Sequence, residues 1–247
     1  MNNIKSAVIL AAGMGTRLRS VTNNMIPKGF LVVNGQTLVA RSIKKLRQQG
    51  IEKIYIVTGN LSEFYEELAE KNNDIVTYKN EEYSTTGSMA SLAILRGIVN
   101  EDFVLLESDI IYENKALANA INNENNSCVM ISGQTNSGDE YYIELKEGVL
   151  YKASKDKSQL GSIYGEWVGI SKISNELFQE MVIKFDESTN RQYGYEDCII
   201  DASRKVYTGY EKVEDLIWGE IDDESHLKRI NEKILPKLEL KGEEHVK

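Results

Sequence analysis

Residues 6–35, SAVILAAGMGTRLRSVTNNMIPKGFLVVNG, constrain the fold more than any other stretch of the chain. The apolar run Ala7–Leu10 is short, as expected of a fully buried strand. It empties into Ala11-Ala12-Gly13-Met14-Gly15-Thr16-Arg17-Leu18, a small-residue loop. A strand that ends in a Gly-rich loop presents bare backbone N–H groups to an anion. Gly13 and Gly15 permit close approach and positive φ. Arg17, and Lys28 within Pro27-Lys28-Gly29, add a planar guanidinium fork and a point charge. The simplest task for such a site is to hold a polyphosphate.

The pattern downstream sets the fold class. Residues 36–49 read as a helix with Leu38, Val39, Ile43 and Leu46 on one face and Gly50 at its end. Lys53–Thr58 reads as a strand. Ser62 is placed to cap a helix over 63–72, and Ile75–Lys79 is a short strand. A helix over Thr86–Val99, a strand over Phe103–Leu106, a helix over 113–123 and a strand over 128–132 continue the alternation. Apolar strands alternating with helices predict an α/β fold, a Rossmann-like, mostly parallel sheet covered by helices on both faces. Ligands bind such sheets at the carboxyl ends of the strands, where Gly13 and Gly15, Thr58-Gly59 and Ser108-Asp109 all fall. After residue 132 the texture changes to a hairpin (Tyr141–Leu145 with Val149–Ala153), a strand over 165–173, helices over 175–184 and 195–206, an extended stretch over 211–221 and a closing helix over 223–238. The expectation is one domain over 1–247. Residues 1–132 form a nucleotide-binding core, and 133–247 form a smaller mixed β/α acceptor-binding part with the closing helix.

Charge and composition narrow the function. The 247 residues carry a net charge of −9, which opposes nucleic-acid or anionic-membrane binding. An acidic protein that holds polyphosphate is expected to use Mg²⁺. Cys128 and Cys198 sit in apolar contexts, with no CxxC or His/Cys cluster to suggest zinc. His226 and His245 have no Ser or Cys neighbour for triad chemistry. No run approaches the ~20 apolar residues that span a bilayer, and the run at 7–12 is too short for a secretion signal. No membrane insertion and a cytoplasmic location are expected; the sequence leaves the oligomeric state open.

The loop nearly fits the dinucleotide fingerprint G-x-G-x-x-G, but Leu18 replaces the third glycine and no acidic residue ends the second strand. Asp109, just past a buried strand, is either the cap of helix 113–123 or an Mg²⁺ ligand. In Glu220-Ile221-Asp222-Asp223, Asp223 is placed to cap the closing helix, which leaves Asp222 as a second metal carboxylate. Thr85-Thr86-Gly87-Ser88 is either a helix start or a base pocket in which Gly87 lets a flat base lie against the backbone. Asp139-Glu140-Tyr141-Tyr142, Glu166-Trp167 and Tyr195-Glu196-Asp197 are solvated clusters or, together, a pocket for a small cation. Lys155 offers a further phosphate contact.

LAAGMGTRL (10–18) with PKG (27–29), a strand ending in Asp109 and a late Glu-Ile-Asp (220–222) resemble the nucleotidyltransferases that activate sugar phosphates and small alcohol phosphates. The closer resemblance is to the 2-aminoethylphosphonate cytidylyltransferases, carried by MIPKGFLVVNG (25–35), NEEYSTTGSMASL (80–92), LLESDIIY (105–112), SGQTNSGDEYY (132–142), ASKDK (153–157), GEWVGI (165–170) and EIDDESHL (220–227). It implies an Mg²⁺-dependent reaction of CTP with 2-aminoethylphosphonate to give CMP-2-aminoethylphosphonate and pyrophosphate, activating the phosphonate for transfer to a cell-surface lipid or glycan. Phosphocholine and sugar 1-phosphates are the alternative acceptors, and a non-catalytic nucleotide sensor is the alternative class. By position, Leu10, Ala11, Ala12 and Gly13 would hold ribose and base, with Thr58, Gly59 and Ser108 at neighbouring strand ends. Gly15, Thr16 and Arg17 would hold the β- and γ-phosphates. Lys28 would contact the α-phosphate and the attacking phosphonate, making Lys28 and Arg17 the catalytic cations. Thr86, Gly87 and Ser88 would recognise cytosine, and Asp109 and Asp222 would bind Mg²⁺. Lys155 would place the phosphonate, while Glu166, Asp139, Glu140 and Glu196 would face the amine.

Overall fold

The structure, a computed structural model, describes residues 4–138 and 140–243. Strand β1 (Ser6–Ala11) is buried at every position, as a continuous apolar run must be when both sheet faces are covered. Successive side chains of a strand point to opposite faces. Val8 therefore enters one apolar layer with Phe103, Leu105 and Phe178, and Ile9 enters the other with Ile54, Ile56 and Leu106. A small hairpin follows, β2 (Val32–Val33) with β3 (Gln36–Thr37). Strands β4 (Lys53–Thr58), β5 (Ile75–Lys79) and β6 (Phe103–Glu107) join β1 in the order β6-β1-β4-β5, all parallel. Strand β7 (Ile110–Tyr112) leaves this sheet after the turn at Ser108-Asp109.

The second half extends the same sheet. It adds β8 (Cys128–Ser132), the hairpin β9 (Tyr142–Lys146) and β10 (Val149–Ser154), β11 (Gly165–Ile173) and β12 (Gly209–Val213). Strand β11 runs antiparallel to β6, β8 and β9, and β12 pairs with β8 in parallel. The result is the expected mostly parallel central sheet with helices on its faces. Among the described residues it has nine strands.

Most element boundaries follow the sequence pattern, and the departures have local causes. The helix over 86–99 is shorter, Ser88–Ala93. Beyond it Leu95, Arg96 and Ile98 donate to carbonyls three residues back, the tighter pattern that ends helices, and Gly97 turns the chain at φ +71. The helix expected over 195–206 stops at Ala202. Ser62 has helical backbone angles and makes no capping bond with its side chain, so it is not the cap of Glu63–Glu70. The extended stretch over 211–221 divides into β12 and β13 (Trp218–Glu220), which belong to different sheets. The closing helix is continuous but widens into a π turn over Ile230–Ile234, where Pro236 has no N–H to return to the preceding turn. Asp223 caps it, accepting from the His226 N–H at 3.0 Å. That helix lies over Leu18, Leu31, Leu38 and Ile111 and so packs against the Lys28 segment. Among the described residues no helix is long and apolar enough to cross a membrane.

Candidate active site

The carboxyl ends of β1 and β6 open into one cavity. Leu10, Ala11, Ala12 and Gly13 line it from one side, and Thr86, Gly87 and Ser88 from another. Lys28, Ser108 and Asp109 form its floor. Gly15 takes φ +61, where a side chain is disfavoured, and turns the loop into the one-turn helix Thr16–Leu18. Gly15 lies with Gly13, Lys28 and Asn60 around a small adjoining cavity, whereas Thr16 borders neither cavity and is exposed.

Lys28 is fixed by close packing of its neighbour. A Cβ on Gly29 would sit 2.6 Å from the Tyr65 hydroxyl and 3.3 Å from Ser108, and Tyr65 is buried. Gly29→Ala is therefore expected to lower stability by about 1–3 kcal/mol through overpacking, measured as a reduced denaturation midpoint, and to displace Lys28.

Two strands outside the main sheet bring the acidic residues together. In the β7–β13 pairing Glu220 lies opposite Ile110, and the Ile221 N–H donates to the Asp109 carbonyl at 3.0 Å. This register puts Asp109 and Asp222 on either side of Lys28. The ammonium donates to Asp109 Oδ2 at 2.8 Å and to Asp222 Oδ1 at 2.5 Å. Arg17 Nη2 approaches Asp222 Oδ2 at 2.9 Å, and Lys155 Nζ lies 3.9 Å from it. The Asp222 N–H donates to His226 Nδ1 at 3.3 Å, which fixes the backbone of the carboxylate. Burial pushes the Lys28 ammonium toward neutrality, but the Asp109 and Asp222 charges outweigh it and hold it protonated well above its ordinary value. Asp109 does not cap the next helix; that position is Glu113.

Glu107, the last residue of β6, and Glu220, the last of β13, line the same cavity as Asp109. Oxygens of Glu107, Asp109 and Glu220 lie within 4.8 Å of one another. Burial pushes the Glu107 carboxyl up to about 8, reinforced by Glu196 and Asp109. Burial also raises Glu220 well above its ordinary value, with Glu107 and Asp109 adding to it. Glu196 is pushed up to about 7, first by burial. This end of the cavity is an acidic pocket that a cation would stabilise. Tyr195 completes it, donating from its hydroxyl to Glu107 at 3.0 Å. Glu107 and Glu220 are not among the expected site residues, whereas Tyr195 belongs to the cluster read as either solvated or a cation pocket.

Other expected residues have different surroundings. Thr58 is fully buried and its carbonyl accepts from Asn80 at 2.8 Å, away from the cavity lining. Gly59 packs behind the loop, its Cβ position 2.6 Å from the Ala12 carbonyl. Gly87 lines the cavity, but its N–H is donated to the Arg191 carbonyl at 2.7 Å and so is not free to read a base. Glu166 does not face the cavity: it is fully buried and both its oxygens accept from the Thr135 N–H, at 2.8 and 2.9 Å. Glu140 is likewise committed, to Thr135 Oγ1 at 2.6 Å, the Gly138 N–H at 2.9 Å, the Tyr142 hydroxyl at 2.8 Å and Ser137. Burial raises its carboxyl, but these hydrogen bonds prevail and hold it far below the usual range. Both residues hold the 135–138 segment in place. Glu196 stays beside Ser88, Lys155 and Glu107. Asp139 and His245 lie outside the described residues.

Mg²⁺ takes one or two carboxylates plus phosphate oxygens. Among the described residues, Glu107, Asp109 and Glu220 are grouped closely enough to meet that requirement, while Asp222, the other residue expected at the metal, pairs with Lys28.

Comparison with known proteins follows the same lines. Residues 6–144 match the family model described as nucleotidyl transferase. A choline-phosphate cytidylyltransferase of Streptococcus pneumoniae is 33% identical over 108 residues, 44% of this chain and 46% of that protein, so the match spans about half the relative's length. A 2-aminoethylphosphonate cytidylyltransferase of Lancefieldella rimae is 24% identical over 226 residues, 90% of each chain. The solved structure of the Streptococcus pneumoniae CTP:phosphocholine cytidylyltransferase superimposes with a TM-score of 0.78 at 23% identity, covering 93% of this chain and 99% of that one. The alternating strands, the anion loop and the match across more than half the residues together place this chain in the nucleotidyl transferase family.

Proposed function

We propose that the protein is a cytidylyltransferase that joins CTP and 2-aminoethylphosphonate into CMP-2-aminoethylphosphonate, with release of pyrophosphate. The chain acts as one unit in which residues 1–132 hold the nucleotide and 133–247 complete the acceptor side. The loop from Leu10 to Arg17 binds ribose and triphosphate, and Thr86-Gly87-Ser88 border the base. A phosphonate oxygen, ionised at neutral pH, attacks the α-phosphorus in line. The bond from the α-phosphorus to the oxygen bridging to the β-phosphate breaks, and pyrophosphate leaves with that electron pair. No general base is required, in keeping with a loop that contains no histidine. Lys28 stabilises the charge on the α-phosphate, Arg17 that on the leaving phosphates, and Lys155 orients the phosphonate. Mg²⁺ held by Asp109 and Asp222 would neutralise triphosphate charge.

The observation that carries the acceptor reading is the pair Glu107 and Glu220 in the cavity that also holds Lys28. A primary ammonium donates hydrogen bonds to carboxylates. A trimethylated nitrogen cannot, and is held by aromatic faces instead. Loss of one charge-assisted hydrogen bond costs about 1.5–3 kcal/mol, so Glu220→Gln should raise KM for 2-aminoethylphosphonate about 10–100-fold. Its effect on ethylphosphonate, which lacks the amine, should be small. Pyrophosphate release measured with both phosphonates, phosphocholine and phosphoethanolamine tests this. Equal effects of Glu220→Gln on both phosphonates, or faster turnover of phosphocholine by the wild type, would overturn the amine assignment.

A further inference from the structure

The segment between helices Asn175–Glu187 and Tyr195–Ala202 lies across the cavity wall without lining it, Tyr195 excepted. It is tied to the base-side loop along its length. Gly87 donates its N–H to the Arg191 carbonyl at 2.7 Å, and Met89 donates to the Tyr193 carbonyl at 3.1 Å. Gln192 Nε2 donates to the Thr85 carbonyl at 3.0 Å, and Arg191 pairs with Glu82 at 3.1 Å. The Tyr195 N–H donates to Ser88 Oγ at 2.9 Å. The two backbones touch so closely that a Cβ on Gly87 would sit 2.4 Å from the Tyr193 carbonyl oxygen.

The segment is also stiff. Asn190 donates to Ser188 Oγ, Gln192 donates to Asn190 Oδ1 at 3.0 Å, and the Tyr193 hydroxyl bonds Asp201 at 2.7 Å. Its far end carries Tyr195, whose hydroxyl reaches Glu107 at 3.0 Å in the acidic pocket. One continuous piece of chain thus contacts the base-side loop and the amine end of the cavity.

We infer that residues 190–195 form a strap that couples nucleotide binding to acceptor binding, with Arg191 and Gln192 as its positioning residues. This rests on the nucleotidyl-transfer reading above. A ligand that holds Thr85–Ser88 suppresses local opening of the strap through these bonds, and the second ligand then meets a Tyr195–Glu107 pair that opens less often. The coupling is reciprocal by thermodynamic necessity.

The test is amide hydrogen exchange on the full chain with Mg²⁺ and each of the common nucleoside triphosphates, joined to kinetics of the Arg191→Ala/Gln192→Ala variant. Both side chains are exposed. CTP alone should protect residues 10–16, 85–88 and 189–195 in the wild type. Saturating 2-aminoethylphosphonate should tighten binding of a non-hydrolysable CTP analogue about fivefold or more, within the usual range of coupling. In the variant, protection at 189–195 and the tightening should both fall. KM for both substrates should rise together while kcat changes little, a split that general destabilisation would not give. Protection at 10–16 and 85–88 without protection at 189–195, or a variant that retains the tightening, overturns the strap. No protection at 10–16 by any triphosphate overturns the nucleotide reading and the strap with it.

Discussion

Lys28→Ala should lower kcat for pyrophosphate release by about 10²–10³, by analogy with the loss of one preorganised charge donor to a transition-state oxyanion. The size follows from position. Lys28 is the cation on the cavity floor that meets both Asp109 and Asp222. Its ammonium stays protonated despite burial because those carboxylates favour the charged form. No solvent reorganisation is then needed when charge builds on the α-phosphate. Binding of CTP should weaken less than turnover, since the loop from Leu10 to Gly15 remains. A folded Lys28→Ala protein, verified by its thermal transition, with near wild-type kcat would remove Lys28 from the chemistry.

Asp222→Asn should be comparably damaging but for a separable reason. Asp222 is 3% exposed and meets Lys28 at 2.5 Å and Arg17 at 2.9 Å, with Lys155 at 3.9 Å. Loss of its charge leaves these cations around a neutral amide and removes one of the two carboxylates proposed for Mg²⁺. The apparent Mg²⁺ affinity should fall by more than the ~10–100-fold that removal of an outer-shell partner of a metal ligand typically costs. Raising Mg²⁺ should partly restore Asp222→Asn and leave Lys28→Ala unrepaired. A wild-type Mg²⁺ titration for Asp222→Asn would remove Asp222 as a ligand.

Much of this was readable from residues alone, because local patterns set it. The run Ser6–Ala11 followed by Gly13 and Gly15 specified a buried strand and an anion loop. Continuous apolar strands at 53–58 and 103–106 specified the parallel sheet. Asp223 as a helix cap followed from its place before an amphipathic helix.

The misreadings are of pairing, which no local pattern encodes. Glu166 looked like an amine contact because it precedes Trp167, yet strand register turns it to the Thr135 N–H. Glu140 looked exposed, but it closes its own loop. Glu107 and Glu220 meet only because β7 and β13 pair with Glu220 opposite Ile110, across more than a hundred residues of sequence. The bonds between Gly87 and residues 191–193 likewise join loops that nothing in the sequence marks as neighbours.

The central claim is that an ionised phosphonate oxygen attacks the α-phosphorus of CTP in the cavity floored by Lys28. It is tested most directly by ³¹P NMR of the enzyme with CTP, Mg²⁺ and 2-aminoethylphosphonate. Free pyrophosphate is expected in equal amount with a new pair of mutually coupled resonances, one phosphonate and one phosphate, and no such product when the amino acceptor is omitted. Release of inorganic phosphate with CDP, or pyrophosphate accompanied by free CMP with the phosphonate unchanged, would contradict it.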